Sequence, residues 1–402
     1  MSGFRSAKPR FFLNFKQKDF YKMTNIAILG FGVVGGGVAD LLTKNSKEAS
    51  RLGGDEINIK YILDLRDFPD SPFGDKVIHN FDTILNDDEI SIVVEMMGGS
   101  HPAYDFSKAS LLAGKNVVTS NKEVVAKFGT ELLQIAKEKN VRYLFEASVG
   151  GGIPIIRPIN NDLVSNKITG IDGILNGTTN YILTQMNEHG TSFEDALKDA
   201  QAKGYAEADP TADVEGIDAA RKIVILSSLS FGKCISPDKV TRQGITKVTT
   251  EDFAIAKSLG YTIKLIGHSE LINGKILATV SPRFIPLSNP LAHISDVYNG
   301  ILVEANMLDK VLFYGKGAGK LPTASAVVAD IMDIVEKMSN EQAPIIEWTN
   351  ADNDDIADIN DYLCERCIIA NGQAILTEKI NLAEAEKLAK SYSDDYKIYS
   401  IL

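Results

Sequence analysis

The chain has 402 residues, of which 44% are hydrophobic and 24% charged, and a net charge of −11 at pH 7. This composition is typical of a folded protein of two or three domains and excludes a fibre or a disordered chain. No run of about 18 apolar residues is present, so we expect no membrane span. An acidic surface is unsuited to binding nucleic acid. The three cysteines indicate no disulfide framework and favour a reducing, cytoplasmic location.

The first 22 residues differ from the rest of the chain in charge. They carry six Lys or Arg and one Asp, a net charge of +5 against −16 for the remainder. Met23 stands directly before the first apolar run. We therefore expect residues 1–22 to be a disordered leader or the product of a start codon placed too early, with an organellar transit peptide as the minor alternative.

A glycine-rich loop follows the first apolar run. Residues 26–29 are continuously apolar, as in a strand buried on both faces, and residues 33–42 have a helical pattern. The loop has the spacing G-x-G-x-x-G and consists of Gly30, Phe31, Gly32, Val33, Val34 and Gly35. The first glycine permits a tight turn, the second lets the backbone approach a pyrophosphate, and the third lets helix and strand pack closely. This order of elements predicts a dinucleotide-binding unit.

The alternation of strands and helices continues to about residue 145. We predict further strands at 57–63, 90–97, 116–119 and 141–145, and helices after Pro102 and at 130–139. Such alternation predicts a doubly wound parallel sheet of Rossmann type. Its ligands bind beyond the carboxyl ends of the strands, here at residues 30–35, at Gly98 and at residues 119–122.

The end of the second strand bears on the choice between NAD and NADP. Asp64 is an acid that can accept from the ribose hydroxyls of NAD, whereas Arg66 suits the extra phosphate of NADP. An equally consistent interpretation is that Arg66 and Asp67 lie in a solvated loop and contact no cofactor.

Polar motifs dominate the second half of the chain. Glu146 is followed by a glycine-rich loop up to residue 154, which predicts either a plain turn or, because of its carboxylate and carbonyl oxygens, a site for a hard cation. The chemistry alone favours the plain turn. Residues 176–181 gather small polar side chains at a strand-to-helix junction, where they can cap a helix or bind a small polar ligand.

The segment 204–222 is rich in acids and leads into an apolar helix. Five acids fall between Glu207 and Asp218, and Asp218 and Lys222 share one helical face. A surface ion pair is the plain interpretation. Because residues 223–231 are almost wholly apolar, we expect this helix to be buried, and a buried Asp–Lys pair near a cleft is a candidate acid–base couple.

Together these motifs resemble the homoserine dehydrogenase family. The resemblance covers about residues 24–340 in family order, through segments 30–35, 118–122, 145–156, 173–183, 204–222 and 314–325. It implies an NAD(P)-dependent interconversion of L-aspartate 4-semialdehyde and L-homoserine in threonine, methionine and isoleucine synthesis. It also implies a homodimer. Arg66 favours NADP as the cofactor, with NAD as the alternative.

The resemblance implies a division of the chain. Residues 23–150 are the NAD(P)-binding Rossmann domain, completed by about 312–340, and residues 151–311 are an α+β substrate-binding and dimerisation domain. Residues 341–402 resemble a truncated ACT domain without its opening strand and helix, with strands at 367–370, 374–378 and 396–401 and a helix at 382–391. The glycine-rich turn of an amino-acid-binding ACT domain is missing, so feedback inhibition by threonine is not expected.

The resemblance also implies roles for individual residues. Lys222 resembles the proton donor to the carbonyl oxygen, Lys122 a second lysine beside the nicotinamide, and Asp218 a residue that binds substrate and orients Lys222. Glu207 resembles a ligand of the substrate amino group, in a site lined by Thr178, Tyr205 and Asp213. The remaining cofactor contacts are Arg66, Gly98, Thr119 and Gly319 in addition to the loop 30–35. Glu146 and the carbonyls of Val149, Gly151 and Ile153 resemble the family's sodium site, which displaces the plain-turn interpretation.

Two alternative functions stay open. A catalytically inactive cofactor sensor would be free to lose the two lysines and the acidic cluster, so their presence argues against it. A related enzyme acting on another small amino or hydroxy acid would keep the same scaffold. Cys364 and Cys367 form a C-x-x-C pair, but without a second pair or a redox setting we expect two ordinary cysteines.

Overall fold

The computed structural model describes residues 23–45, 56–338 and 346–402. The predicted leader, residues 1–22, lies outside the described residues. Six parallel strands form the first sheet: β1 Met23–Leu29, β2 Glu56–Leu63, β3 Val77–Ile78, β4 Ile90–Glu95, β5 Asn116–Thr119 and β6 Tyr143–Leu144. Their order is β3-β2-β1-β4-β5-β6, so the predicted doubly wound parallel sheet is confirmed.

The helices between these strands cover the sheet on both sides. They are α1 Val33–Lys44, α2 Asp82–Leu85, α3 Ala103–Leu112 and α4 Lys122–Glu138. The predicted helix at 130–139 was too short, because Asn121 caps the helix at its start by accepting from the amide of Val124. The strand order reverses between β1 and β4, and ligands of such sheets bind in the crevice at this reversal.

A second, mixed sheet of nine strands carries the rest of the core. All strands of the next part of the chain except β8 belong to this sheet. The elements in chain order are β7 Ile168–Ile174, α5 Gly177–His189, α6 Phe193–Ala202, α7 Thr211–Val214, α8 Ile217–Phe231, β8 Lys233–Cys234, β9 Thr241–Arg242, α9 Thr250–Ser258, β10 Tyr261–Ile272, β11 Lys275–Pro286, β12 Tyr298–Ala305 and β13 Asp309–Lys316. Helix α8 packs on β10 and β11 and against α4. Its residues Ile223, Val224 and Ile225 are buried, in agreement with the apolar pattern.

The chain then returns to the first sheet through α10 Lys320–Lys337. This helix packs against α1 so closely that a Cβ on Gly37 would lie 2.9 Å from the carbonyl oxygen of Lys320. Val327 and Ile331 of α10 share a hydrophobic cluster with Ile26 of β1 and Val38 of α1. Residues far apart in the chain therefore complete the core around the first sheet.

The C-terminal segment joins the second sheet. It contains β14 Thr349–Asn350, β15 Arg366–Ala370, β16 Gln373–Leu376, α11 Leu382–Lys390 and β17 Tyr396–Ile401, close to the predicted elements. Strand β14 pairs with β8, and the large sheet has the order β13-β12-β7-β10-β11-β17-β15-β16, with β9 beside β11. In the described ranges, no helix combines the length and apolarity that a bilayer crossing requires.

Candidate active site

The glycine-rich loop has the geometry that its spacing predicts. Gly30 has a φ of +90°, in the region that favours glycine, and a Cβ on Gly35 would lie 2.1 Å from the carbonyl oxygen of Gly30. A Cβ on Gly32 would meet nothing within 4 Å, so the backbone is open to a ligand at the start of α1. These three positions match a turn, a close helix–strand approach and an exposed phosphate cradle.

The end of β2 holds an acid and a base together. Asp64 Oδ2 accepts from the amide of Phe31 at 2.8 Å, so this acid also supports the glycine-rich loop. Arg66 donates to both carboxylate oxygens, from Nε at 2.9 Å and from Nη2 at 3.0 Å. The bond from Arg66 is the largest cause that lowers the pKa of Asp64 to about 2. The ion pair therefore joins Arg66 to Asp64, whereas the carboxylate of Asp67 faces His79.

A buried hydrogen-bond network links the ends of β4 and β5. Glu95 accepts from Thr119 Oγ1 at 2.6 Å and from the amide of Met97 at 2.6 Å. Thr119 Oγ1 in turn accepts from the amide of Asn121 at 2.9 Å, and Asn121 Nδ2 donates to the carbonyl of Gly99 at 2.7 Å. This network positions the first turn of α4, where Lys122 lies.

Two lysines converge on one buried aspartate. Lys222 Nζ lies 2.7 Å from Asp218 Oδ2, and Lys122 Nζ lies 2.6 Å from Asp218 Oδ1. Asn176 Nδ2 donates to Asp218 Oδ2 at 2.9 Å. Asp218 is 4% exposed and Lys222 7%, whereas the Lys122 side chain is 39% exposed. The sequence predicted the first pair through its i,i+4 spacing, and the fold adds Lys122, the first residue of α4.

The local backbone explains how Lys222 is held. Gly216 has a φ of +75° and begins α8, so the helix starts directly after a turn that favours glycine. One helical turn separates Asp218 from Lys222. Lys222 Nζ also donates to the carbonyl of Leu175 at 2.7 Å. The ammonium group is thereby fixed between a helix residue and the end of β7.

The pKa shifts differ between the two lysines. Burial is the largest influence on Lys222 and lowers the pKa of its ammonium group, although the Asp218 carboxylate opposes this shift. For Lys122 the charge of Asp218 is the largest influence and raises the pKa. Burial alone would raise the pKa of Asp218, but the charges of both lysines hold it well below its usual range. Lys222 therefore gives up a proton more readily than Lys122 does.

The other residues predicted to bind substrate differ in how directly they are joined to this centre. Asp213 Oδ1 accepts from Asn176 Nδ2 at 2.6 Å, so Asp213 and Asp218 share one amide group. Thr178 Oγ1 donates to the carbonyl of Tyr205 at 2.6 Å. The Glu207 side chain is exposed, and within the described residues only its backbone carbonyl has a hydrogen-bond partner, Gln201 Nε2. The structure thus joins Asp213 to the centre and leaves the Glu207 carboxylate in solvent.

Asn176 is the main residue that sequence reasoning did not place in the site. The sequence places it only in a polar cluster that can cap a helix or bind a small polar ligand. Its Oδ1 accepts from the amide of Thr179 at 2.8 Å, so it does cap α5. The same side chain reaches both Asp213 and Asp218 through its amide nitrogen. Its position directly after a predicted strand was the available signal.

The glycine-rich loop after β6 surrounds a buried carboxylate. Glu146 accepts from the backbone amides of Ile155, Ile156 and Arg157, at 2.6, 2.8 and 2.7 Å. A Cβ on Gly151 would lie 2.5 Å from the carbonyl oxygen of Gly317, so this position requires glycine. Within the described residues, no backbone amide donates to the three carbonyl oxygens predicted as ligands, those of Val149, Gly151 and Ile153. These oxygens have the chemistry that a hard cation prefers.

Comparison with known protein families matches both halves of the chain. The family model "Homoserine dehydrogenase, NAD binding domain" matches residues 30–146. The family model "Homoserine dehydrogenase" matches residues 154–332. The first contains the glycine-rich loop and Lys122, and the second contains Asp218 and Lys222.

Individual proteins and solved structures agree with this result. The chain is 43% identical to the homoserine dehydrogenase of Lactococcus lactis over 319 residues, 78% of this chain and 74% of that protein. The crystal structure of a homoserine dehydrogenase from Thiobacillus denitrificans has a TM-score of 0.86 at 33% identity, covering 95% of this chain and 99% of that chain. A hyperthermophilic archaeal homoserine dehydrogenase mutant in complex with NADPH has a TM-score of 0.69 at 30% identity, covering 81% of this chain and 100% of that chain. The fold, the nucleotide loop and these comparisons lead to one conclusion: the chain belongs to the homoserine dehydrogenase family of oxidoreductases.

Proposed function

We propose that this protein reduces L-aspartate 4-semialdehyde to L-homoserine with NADPH, and catalyses the reverse reaction, in the synthesis of threonine, methionine and isoleucine. The observation that carries the proposal is the buried carboxylate of Asp218 between Lys222 and Lys122. Lys122 begins the helix after β5, in the same sheet that carries the dinucleotide loop. A carbonyl reduction needs a proton donor at the oxygen and a positive charge beside it. The two lysines supply these groups.

The proposed mechanism assigns one role to each polar group. When bound, the nicotinamide supplies the hydride for the aldehyde carbon. Lys222 Nζ donates its proton to the carbonyl oxygen, and its lowered pKa favours this transfer. Asp218 holds the ammonium group in position. Lys122, which keeps its proton more firmly, stabilises the negative charge that develops on the oxygen.

The amino group of the substrate requires an anionic partner. Asp213 is ionisable and lies next to Asp218 through Asn176, although burial raises its pKa. Glu207 is exposed and is free to turn towards a bound ligand. We propose that Glu207, Asp213 and Asp218 bind the ammonium group of the substrate. Thr178 and Tyr205 line the same pocket.

We propose NADP as the preferred cofactor. Asp64 already binds Arg66 through both carboxylate oxygens, so its charge is compensated. The Arg66 side chain remains 63% exposed at the rim of the glycine-rich loop and can reach a phosphate. The remaining contacts of the cofactor are proposed at residues 30–35, Gly98, Thr119 and Gly319.

The test of the cofactor proposal compares the two KM values in the wild-type protein and in Arg66→Ala. We expect the KM for NADPH to rise about tenfold in the variant while the KM for NADH changes little, because an arginine–phosphate contact is lost. An unchanged ratio of the two KM values would show that Arg66 does not determine the preference for NADP.

We also propose a monovalent cation, Na⁺, beside the loop 146–154. Glu146 supplies charge, and the carbonyls of Val149, Gly151 and Ile153 supply ligand oxygens. Such a cation would hold this loop in one conformation. Replacing sodium by a large organic cation at constant ionic strength should lower both activity and thermal stability, and no change in either would contradict the proposal.

The proposed assembly is a homodimer in the cytoplasm. By family resemblance, the surface for a second copy lies on residues 151–311, which contribute β7 and β9 to β12 to the nine-stranded sheet. Cys234, Cys364 and Cys367 are free cysteines, which suits a reducing compartment. Sedimentation equilibrium should give twice the chain mass of 43.7 kDa, and a monomer at micromolar concentration would contradict the dimer.

The activity itself is tested by following the oxidation of NADPH and of NADH at 340 nm. Oxidation is expected only after L-aspartate 4-semialdehyde is added. Binding of either cofactor without turnover would indicate a sensor and overturn the proposal. Turnover of a different small aldehyde or keto acid, with none of the semialdehyde, would indicate a related enzyme instead.

A further inference from the structure

A basic cavity lies where the C-terminal segment meets β9 and β11, and its lining contains no residue of the site described above. It has a volume of about 190 Å³ and is bounded by β9, β11 and β17. Arg242, Arg283 and Arg366 line it, and no aspartate or glutamate occurs among the described residues that do so. In a chain of net charge −11, three arginines without an acid form a local positive site.

Two of these arginines lie on one row across three strands. Arg283 of β11 is opposite Ser400 of β17, and Ser400 is opposite Arg366 of β15. Residues opposite each other on neighbouring strands project from the same face of a sheet. Their guanidinium carbons lie 5.5 and 6.0 Å from the centre of the Tyr362 ring. Both positive charges are therefore held around one aromatic side chain.

Both guanidinium groups are buried without an anionic partner. Arg283 is 1% exposed and Arg366 3%, and across the described parts of the chain neither has a carboxylate oxygen within 4.0 Å. Arg283 donates to Tyr362 and Thr279, and its Nε has no hydrogen-bond partner among the described residues. Arg366 donates to Ser400 Oγ and to backbone carbonyls, which are neutral acceptors.

The acid whose charge acts on Arg283 already contacts another residue. The charge of Asp172 acts on Arg283 at longer range, but its Oδ1 lies 2.7 Å from His268 Nδ1. Buried charges in proteins are normally paired, because an isolated one is costly to remove from water. The two adjacent guanidinium groups therefore lack an anionic partner among the described residues. An anion bound in the cavity beside them would supply that partner.

We propose that this cavity binds a small oxyanion, a carboxylate or a phosphate. Arg283 and Arg366 line the cavity, and their planar guanidinium groups have more N–H donors than the described residues accept. Arginine forks match the geometry of both oxyanions. Arg242 is exposed at the edge and supplies a third positive charge. Since Arg366 belongs to the C-terminal segment and Arg283 to the central sheet, the ligand would bridge these two parts.

The test measures the melting temperature of the full chain at constant ionic strength, with inorganic phosphate in one arm and succinate in the other. At least one anion should raise the melting temperature saturably, and the more effective arm identifies the oxyanion class. In R242Q the half-saturating concentration should rise about tenfold, since one charge-assisted contact is lost. In R366Q the saturable rise should disappear, and the exposed-lysine control K198Q should behave as the wild-type protein.

Several outcomes would overturn the proposal. One is no saturable rise with either anion. Another is the same rise in the wild-type protein and in R242Q, because the anion would then act at another site, such as the dinucleotide loop. If R366Q does not fold, the comparison of R242Q with the wild-type protein still tests the proposed anion site. A crystal structure with a carboxylate of a second copy against Arg366 would also overturn the proposal.

Discussion

Lys222 has a donor geometry that accounts for its proposed reactivity. Its ammonium group contacts Asp218 Oδ2 and the carbonyl of Leu175, both at 2.7 Å, in a position that is almost fully buried. Burial favours the neutral amine, whereas the carboxylate favours the ammonium ion. The balance lowers the pKa of Lys222, so its ammonium group loses its proton more readily than that of an exposed lysine does.

We predict that Lys222→Met lowers turnover about 10²- to 10⁴-fold, the usual contribution of a positioned proton donor. Methionine keeps the length of the side chain but carries no proton. The dissociation constant of NADPH, measured by fluorescence titration, should stay unchanged. Lys198→Met, at an exposed position, is the control and should retain full turnover. Full activity of the Lys222 variant would refute the role of this lysine.

Glu95 provides a second prediction at the residue scale, on pH dependence. Burial raises the pKa of this carboxyl to about 7, although Thr119 and the amide of Met97 oppose the shift. In the unfolded chain it titrates near its ordinary value of 4.5. Between these two pH values the folded state keeps a proton that the unfolded state has released. The free energy of unfolding should therefore fall as pH rises through this window, by at most about 3 kcal/mol.

Urea unfolding at pH values below, within and above this window measures the effect. In Glu95→Gln the fall in the free energy of unfolding should be reduced, since glutamine does not titrate. Glu194→Gln, an exposed control, should keep the full pH dependence. The same slope in all three proteins would show that Glu95 titrates at its ordinary value.

At the scale of elements, α4 shows what was predictable and what was not. The hydrophobic pattern indicated a helix over 130–139, but the helix begins at Lys122, eight residues earlier. The earlier part contains Gly129, an unfavourable residue in a helix interior. The tertiary structure explains this glycine, because a Cβ there would lie 2.7 Å from Trp348 Cζ2. Close packing of the C-terminal segment on α4 requires the small residue.

We predict that Gly129→Ala destabilises the protein by about 1 to 3 kcal/mol, as overpacking does. Intrinsic helix propensity alone would give the opposite sign, a gain of about 0.5 to 1 kcal/mol. The control is Gly36→Ala in α1, where the new Cβ meets nothing within 4 Å and a gain is expected. Urea unfolding followed by circular dichroism distinguishes the two signs, and a stabilised Gly129→Ala would contradict the packing argument.

At the scale of the whole molecule, the C-terminal segment is part of the large sheet. Strand β17 lies between β11 and β15, and the side chains of Lys397 and Tyr399 both contact Asp252 of α9, at 2.6 and 2.8 Å. Trp348, the one tryptophan of the chain, is 6% exposed and packs on α4. The segment is thus built into the large sheet and packs on a helix of the first sheet, rather than forming an isolated unit.

We therefore predict that the C-terminal segment unfolds together with the central sheet. Tryptophan fluorescence reports the surroundings of Trp348, and far-UV circular dichroism reports the whole chain. The two urea transitions should have the same midpoint, because breaking β17 from β11 disrupts the sheet. A fluorescence transition at clearly lower urea concentration would show that the segment detaches first.

The sequence alone was sufficient for the features that depend on short-range pattern. The spacing of Gly30, Gly32 and Gly35 predicted the nucleotide loop, and the spacing of Asp218 and Lys222 predicted their pairing on one helical face. The family and the Rossmann-type sheet, both predicted from such motifs, are confirmed. These features follow from backbone sterics and helical periodicity, which act within a few residues.

Only the tertiary structure decided which distant residues meet. It brought Lys122 to the second oxygen of Asp218, joined Asn176 to both aspartates, and placed β17 beside β11. It also buried Arg283 and Arg366 on one row without an acid, although nothing in their local sequence distinguishes them. Such contacts depend on which strand edges and helix faces become neighbours when the core closes, and local pattern carries little of that information.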